Sequence, residues 1–423
     1  MYKRYERYKD SGIEWIGEIP EHWDVTKLKR LAILSYGESL SAENRVSGSV
    51  PVYGSGGVIG FHNNANTSNP VIIIGRKGSY GSVFYSKHPV FVIDTAYFIN
   101  AQSCSVSLKW LHYLIPLLEL DKLSQDTGVP GLSRSYAYEK IIPSTSIFEQ
   151  DLIANFLDNK TSEIDSLIAD KEELIKRLEE YKQSIITEAV TKGLNPDVKM
   201  KDSGIKWIGE IPEHWEVKKV SWLFGLISSG ATPESSNLNY YSDGNIPWLN
   251  TGELNDGFIY ETKKHITEIA VREYSALKIY PPNVLVMAMY GATIGKLAIT
   301  KISLSANQAC CVLSKQKGID IEFMFYWLLA KRKQIISMSY GGGQPNISQT
   351  LISSLRVGVP EQSEQREIVK HIRYKTNEAD RLIRYANKHI HLLKSYRQSL
   401  IYEAVTGKID VREYEPERSE QLA

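Results

Sequence analysis

Two stretches of the chain carry apolar residues at steps that alternate between four and three. In the first they fall at Ile153, Leu157, Lys160, Ile164, Leu167, Lys171, Leu174, Leu178, Tyr181 and Ile185. The second repeats them 215 residues later as Ile368, Ile372, Lys375, Ala379, Leu382, Ala386, His389, Leu393, Tyr396 and Leu400, polar step included. This is the seam of a coiled-coil helix. Neither stretch meets Pro or Gly before Gly193 and Gly407, which suit C-terminal stops. The pattern predicts two long helices of about 36 residues, each a rod of roughly 50 Å. Between them the period changes. Residues 71–74 form an apolar run followed by GRKGSYG from Gly75, and residues 284–289 form another followed by YGATIGK from Tyr290. Both read as strand–turn–strand units of a mixed α/β domain.

The chain is internally duplicated. KDSGIEWIGEIPEHW from Lys9 and KDSGIKWIGEIPEHW from Lys201 agree at fourteen of fifteen positions, Glu14 against Lys206 being the exception. Their offset is 192. YKQSIITEAVTKG from Tyr181 and YRQSLIYEAVTGK from Tyr396 are offset by 215, so the second copy holds 23 more residues between the shared motifs. The run from Gly128 to Ser133 lies 215 before the Gly-Gln-Pro-Asn-Ile-Ser run at Gly343, with Gly131-Leu132-Ser133 where the second copy has Asn346-Ile347-Ser348. Kept ends with diverged middles describe a constant scaffold that carries two different reading heads.

Charge adds a pairing rule. Residues 151–190 carry 5 basic and 10 acidic side chains, net −5, and residues 366–405 carry 9 and 4, net +5. Opposite charge on near-repeats predicts that the two helices pair with each other. The whole chain of 423 residues is nearly neutral, with 50 Lys+Arg against 49 Asp+Glu. It is no polycation, so any contact with nucleic acid depends on how charge is distributed. Three cysteines, Cys104, Cys310 and Cys311, without a C-x-x-C spacing argue against structural zinc. The polar N-terminus and the lack of an apolar run of roughly 18 residues predict a soluble cytoplasmic protein.

Together these features resemble the DNA-specificity subunits of type I restriction–modification systems. The residues that carry the resemblance are the twin WIGEIPEHW segments at Trp15 and Trp207, the run at Gly343, and the duplicated helix ending in EAVT at Glu188 and Glu403. The resemblance implies two α/β target-recognition domains joined by two long antiparallel coiled-coil helices, with pseudo-twofold symmetry. It implies that each domain reads one half of a bipartite site in double-stranded DNA and that the chain itself is not an enzyme. Two methyltransferase subunits and restriction/translocase subunits are the implied partners. S-adenosylmethionine, ATP and Mg would sit on those partners, with no cofactor in this chain and no membrane. The segments are then 1–150 (N-terminal segment and first recognition domain), 151–200 (first helix and linker), 201–360 (second recognition domain) and 361–423 (second helix and tail).

A search for catalytic chemistry supports a reader over the alternative, a stand-alone nuclease or methyltransferase. Tyr280-Pro281-Pro282-Asn283 reverses the order that an amino-methyltransferase signature needs. Gly54, Gly56 and Gly60 miss the dinucleotide fingerprint by one residue, with Ile59 in the third slot, and Gly291 to Lys296 is not a Walker A loop. Asp243 with Glu261-Thr262-Lys263 is a pattern that arises readily by chance. His22 and His214 read as turn histidines, and Trp15, Trp23, Trp207 and Trp215 as packing anchors, since a sequence kept in both copies cannot distinguish two half-sites. The candidate DNA-contacting residues sit on loops with suitable donors and acceptors. They are Tyr53, Ser55, Arg76, Lys77, Tyr80 and Arg134 in the first domain. In the second they are Trp248, Asn250, Thr251, Tyr290, Thr293, Lys296, Gln344 and Asn346.

Overall fold

The computed structural model describes residues 2–122, 131–339 and 346–415. The chain forms two compact units. One gathers residues 1–172 and 387–423, and the other is residues 173–386. The linear segments are therefore shared out, because each long helix contributes to both units.

The first unit is built on a four-stranded antiparallel sheet. Its strands are β2 (Ser35–Tyr36), β3 (Val71–Gly75), β4 (Val83–Ser86) and β5 (Ala96–Asn100), in the order β2-β5-β3-β4. β3 is central and fully buried, which explains its unbroken Val71-Ile72-Ile73-Ile74 run. A second sheet pairs Val50–Gly54 with Gly57–His62 and Phe91–Val92. The domain opens with β1 (Asp24–Lys27) and closes with β6 (Ile141–Ser144), and the two form an antiparallel ribbon. A short helix α1 (Leu108–Leu114) precedes β6, and the long helix α2 (Ile147–Lys192) follows it.

The second unit repeats this plan. The ribbon is β7 (Glu216–Lys219) with β13 (Arg356–Val359). The sheet holds β8 (Phe224–Ser229), β9 (Gly257–Ile259), β10 (Leu285–Ala288), β11 (Leu297–Thr300) and β12 (Cys310–Gln316), in the order β8-β12-β10-β11-β9. Only β9 with β11 is parallel. α3 (Ile321–Ser337) packs on this sheet, and α4 (Gln362–Val405) is the second long helix. The stops fall where glycine predicted them. Gly193 and Gly407 adopt φ of +76° and +72°, one residue past the end of α2 and two past the end of α4.

Within the first unit Arg397 of α4 pairs with Asp165 of α2 at 3.0 Å. Within the second, Lys182 of α2 pairs with Asp380 of α4. The partner moves seventeen residues back along α4 as α2 advances by seventeen, so the local register is antiparallel in both. The second pair is the first one carried through the repeat. Helices with equal charge would form the same pairs, so the net −5 and +5 are not expressed at these contacts.

The expected seam needs correction. Leu167, Leu174, Tyr181, Leu382 and Tyr396 are 44–50% exposed. The packed stripe keeps Ile153, Leu157, Ile164, Ile368, Ile372, Ala379, Ala386 and Leu400 from that seam and adds Thr161, Ile168, Thr376 and Ile390, which lie one residue off it. Thr161 and Thr376 are tolerated there because each hydroxyl donates to the carbonyl four residues back, at Leu157 and Ile372. That step moves the stripe off Lys160, which is half-buried and pairs with the exposed Glu163. Beyond it, adjacent apolar residues such as Leu167-Ile168 satisfy either phase, so spacing alone selected the wrong member.

Candidate nucleic-acid interface

Each recognition domain is clamped to the scaffold by the twin HW motif. Trp23 and Trp215 are fully buried. His22 Nε2 lies 3.1 Å from Glu149 Oε2, and His214 Nε2 lies 2.8 Å from Glu364 Oε2. Both glutamates stand in the first turn of a long helix, where the helix dipole favours a carboxylate. The next residue repeats too. Gln150 Oε1 accepts from the Ser107 amide at 2.9 Å, and Gln365 Oε1 from the Asp320 amide at 2.6 Å. The motif is thus used for assembly.

The same buried carboxylate gives a pH expectation. Burial alone would raise the Glu149 carboxyl, but hydrogen bonds from Thr145, Tyr5 and His22 outweigh it and hold the group below its ordinary value. A carboxyl held low contributes stability that is present above the unfolded value and lost as pH falls through the folded one. The first unit is therefore expected to lose thermal stability as the pH falls below the ordinary glutamate value of about 4.5, with Glu149→Gln losing less there. Melting curves of the two proteins on either side of that value check this.

At the far side of the first sheet, four segments converge. β3 ends in Gly75, and the amides of Arg76 and Lys77 both donate to the Thr95 carbonyl, at 2.8 and 3.1 Å. The Arg76 carbonyl accepts from Leu132 N at 2.8 Å, and Lys77 bridges to Gly131. The Ser55 amide donates to Thr95 Oγ1 at 3.3 Å. A Cβ on Gly75 would stand 2.2 Å from the Ser79 carbonyl oxygen and 2.8 Å from that of Ser55, so only glycine permits this approach. The guanidiniums of Arg76 and Arg134 lie 4.9 and 4.8 Å from the centre of the exposed Tyr36 ring. Among the described residues no carboxylate forms an ion pair with Arg76, Lys77 or Arg134. Three cations without counter-charge, one loop apart, suit a phosphate backbone or a guanine edge. Tyr80 is half-buried in the same turn. Tyr53 differs, because its half-buried ring packs against Phe84, 6.0 Å between centroids, in the sheet core.

The second unit builds the same junction from different side chains. Met289 N donates to the Ala309 carbonyl at 2.8 Å, and Ile347 N to the Met289 carbonyl at 2.7 Å. Tyr290 bridges to Asn346, as Lys77 does to Gly131. Asn346 and Lys296 are exposed, while Tyr290, Thr293, Asn250 and Thr251 are half-buried. Gly291 has φ of +80° and open space around it. Asn250 Oδ1 accepts from Asn307 Nδ2 at 3.3 Å, which ties a second loop to the junction. Gln344 lies outside the described residues.

Trp248 is a correction. It is 3% exposed, its indole donates to the Ala231 carbonyl at 3.2 Å, and it packs with Tyr240, Ile266 and Leu277. Its strand, Ile246–Leu249, turns this side chain into a local core, so it is a packing residue. Sequence reasoning missed Tyr36, Thr95 and Asn307. No motif marks them, and the backbone hydrogen bonds that equate Thr95 with Ala309 become visible only in the fold. Burial pushes the Cys310 and Cys311 thiols up to about 12, which leaves them unreactive. Among the described residues no group of three His, Cys, Asp or Glu could hold a metal ion.

Residues 20–177 and 212–390 both match the type I restriction modification DNA specificity domain. The chain belongs to this family. It carries two target-recognition domains and, like the family, is a specificity subunit with no catalytic role. It is 23% identical over 356 residues to the type I restriction enzyme MjaVIII specificity subunit of Methanocaldococcus jannaschii, covering 81% of this chain and 80% of that one. The MjaIX specificity subunit of the same organism is 31% identical over 172 residues, 40% of this chain and 39% of the relative's length. A solved structure described as the basis of complex assembly and conformational transition of the type I R-M system superposes with a TM-score of 0.70 at 13% identity. It covers 92% of this chain and 99% of its own, and supports the fold.

Proposed function

We propose that this specificity subunit reads a bipartite site in double-stranded DNA, one half through each recognition domain. The observation that carries the reading is the duplicated junction at the end of β3 and β10. Its backbone hydrogen bonds are repeated while its side chains differ: Arg76, Lys77 and Gly131 in one unit, Met289, Tyr290 and Asn346 in the other. Constant geometry with variable donors is what two different half-sites require.

The long helices set the spacing of the half-sites and receive the partner subunits. In the first unit Leu167, Leu392 and Tyr396 stand in solvent, and in the second Leu174, Tyr181, Leu382 and Tyr385, each 44–53% exposed. Apolar residues at this density mark docking surfaces. One surface per unit fits two methyltransferase subunits, with restriction/translocase subunits added for cleavage. Those partners bring S-adenosylmethionine, ATP and Mg. No described helix is long and apolar enough to cross a membrane, and the place of action is the cytoplasm, where the DNA is.

The test is methylation mapping in cells with and without this chain, supported by gel shifts with the methyltransferase partner. A split motif methylated only when the chain is present supports the reading, and an unchanged methylome overturns it. Single substitutions refine it. Arg76→Ala is expected to cost about 1–3 kcal/mol of binding and to relax one half-site only. Lys77→Ala is expected to weaken all sequences evenly and to lower the salt slope by about 1. Binding titrations against mutated half-sites, at several salt concentrations, separate the two effects.

A further inference from the structure

Tethers fix each recognition domain to the long helix that follows it, and two of them are the same in both units: His22–Glu149 with His214–Glu364, and Gln150 with Gln365. A third tether occupies matching positions with its charges reversed. In the first unit Lys109 Nζ, on the second residue of α1, pairs with Asp158 Oδ2 of α2 at 2.9 Å. In the second unit Glu322, on the second residue of α3, pairs with Arg373 of α4. Asp158 and Arg373 are 215 residues apart, the same offset that relates the two helices throughout. The surroundings match as well. Tyr113 donates to Asp158 Oδ1 at 2.8 Å and meets Thr161, while Tyr326 stands beside Arg373 near Asp320. The helix charges follow the same sense, acidic for the first helix and basic for the second.

We propose that this polarity-reversed tether is a positional key: the first helix accepts a recognition domain with a basic docking face, and the second accepts one with an acidic face. The invariant tethers hold any domain, and the reversed one decides which domain belongs where. A domain moved to the other position meets a like charge. Lys109 would face Arg373, and Tyr113 would lose its carboxylate acceptor. Glu322 would face Asp158. The order of the two half-sites in the target is then fixed by charge at the domain–helix contact, away from the loops that read DNA. The consequence for half-site order rests on the DNA-reading proposal, but the positional key itself is read out by the stability of the chain alone.

The experiment uses the full chain. Lys109→Glu and Asp158→Lys each create a like-charge contact and are expected to lower the melting midpoint by about 2–4 °C at low salt. The double variant is expected to recover most of the loss. Glu322→Lys, Arg373→Glu and their double variant form a parallel set. A decisive graft places residues 28–140 in the position of residues 220–355. There Arg373→Asp is expected to raise the midpoint of the grafted chain although it lowers that of the unaltered chain. Double variants that fall as far as the two single losses combined, or a graft in which Arg373→Asp is as harmful as in the unaltered chain, would overturn the proposal.

Discussion

Replacing residues 28–140 with the matching segment of another first-position domain is expected to change one half of the methylated site and leave the other half intact. The junctions follow from the fold. β1 and β6 pair in register from Asp24 opposite Ser144 to Lys27 opposite Ile141, so the chain enters and leaves the domain side by side. Cuts at 28 and 140 leave this ribbon in place. They also keep His22, Glu149 and Gln150, which clamp the domain to its helix. Exchanging residues 24–150 would carry Glu149 and Gln150 away with the domain and open the first turn of α2. The effect is large because mismatches accumulate. Two wrong base pairs at about 1 kcal/mol each, the low end of the usual range, already separate old and new sites by about 30-fold. Methylation mapping of the exchanged protein reads out both halves at once. A change in both halves would show that the domains do not read independently.

Much of this architecture is legible in the sequence, and the exceptions have physical causes. The long helices follow from spacing and from Gly193 and Gly407, because backbone conformation is a local property. The packed face is less local. Leu167 and Ile168 are both apolar, and only the buried Thr161, with its hydroxyl satisfied internally, reveals which one turns inward. Arg76, Lys77 and Arg134 were identifiable as donors on loops, yet their convergence depends on Thr95 and Tyr36, which no motif marks. Trp248 shows the opposite failure. An aromatic residue beside Asn250 fits a base-stacking role as well as a core, and only the alternation of its strand decides between them. The reversed tether was invisible for a further reason. Lys109 and Asp158 are 49 residues apart, and their counterparts emerge only when two separate offsets are known.

A matched insertion of seven residues in both long helices is expected to lengthen the unread spacer while the bases of each half-site stay the same. The packed stripe advances by four and three, through Ile164, Ile168 and Lys171 and through Ala379, Ile383 and Ala386, so seven residues preserve its phase. The Arg397–Asp165 register places the step after Asp170 opposite the step after His391, and these are the two insertion points. Seven residues lengthen a helix by roughly 10 Å, or about 3 bp at 3.4 Å per base pair. That is about a third of a DNA turn, so the second half-site also rotates around the duplex. Twisting or bending the DNA to compensate costs a few kcal/mol, which is expected to slow methylation and to hold the spacer change at or below about 3 bp. An insertion in α2 alone shifts one half of the pairing against the other and is expected to abolish activity. Methylation mapping of the matched variant gives the answer directly. An active protein with an unchanged spacer would mean that the helices are not the ruler and that the partner subunits position the domains.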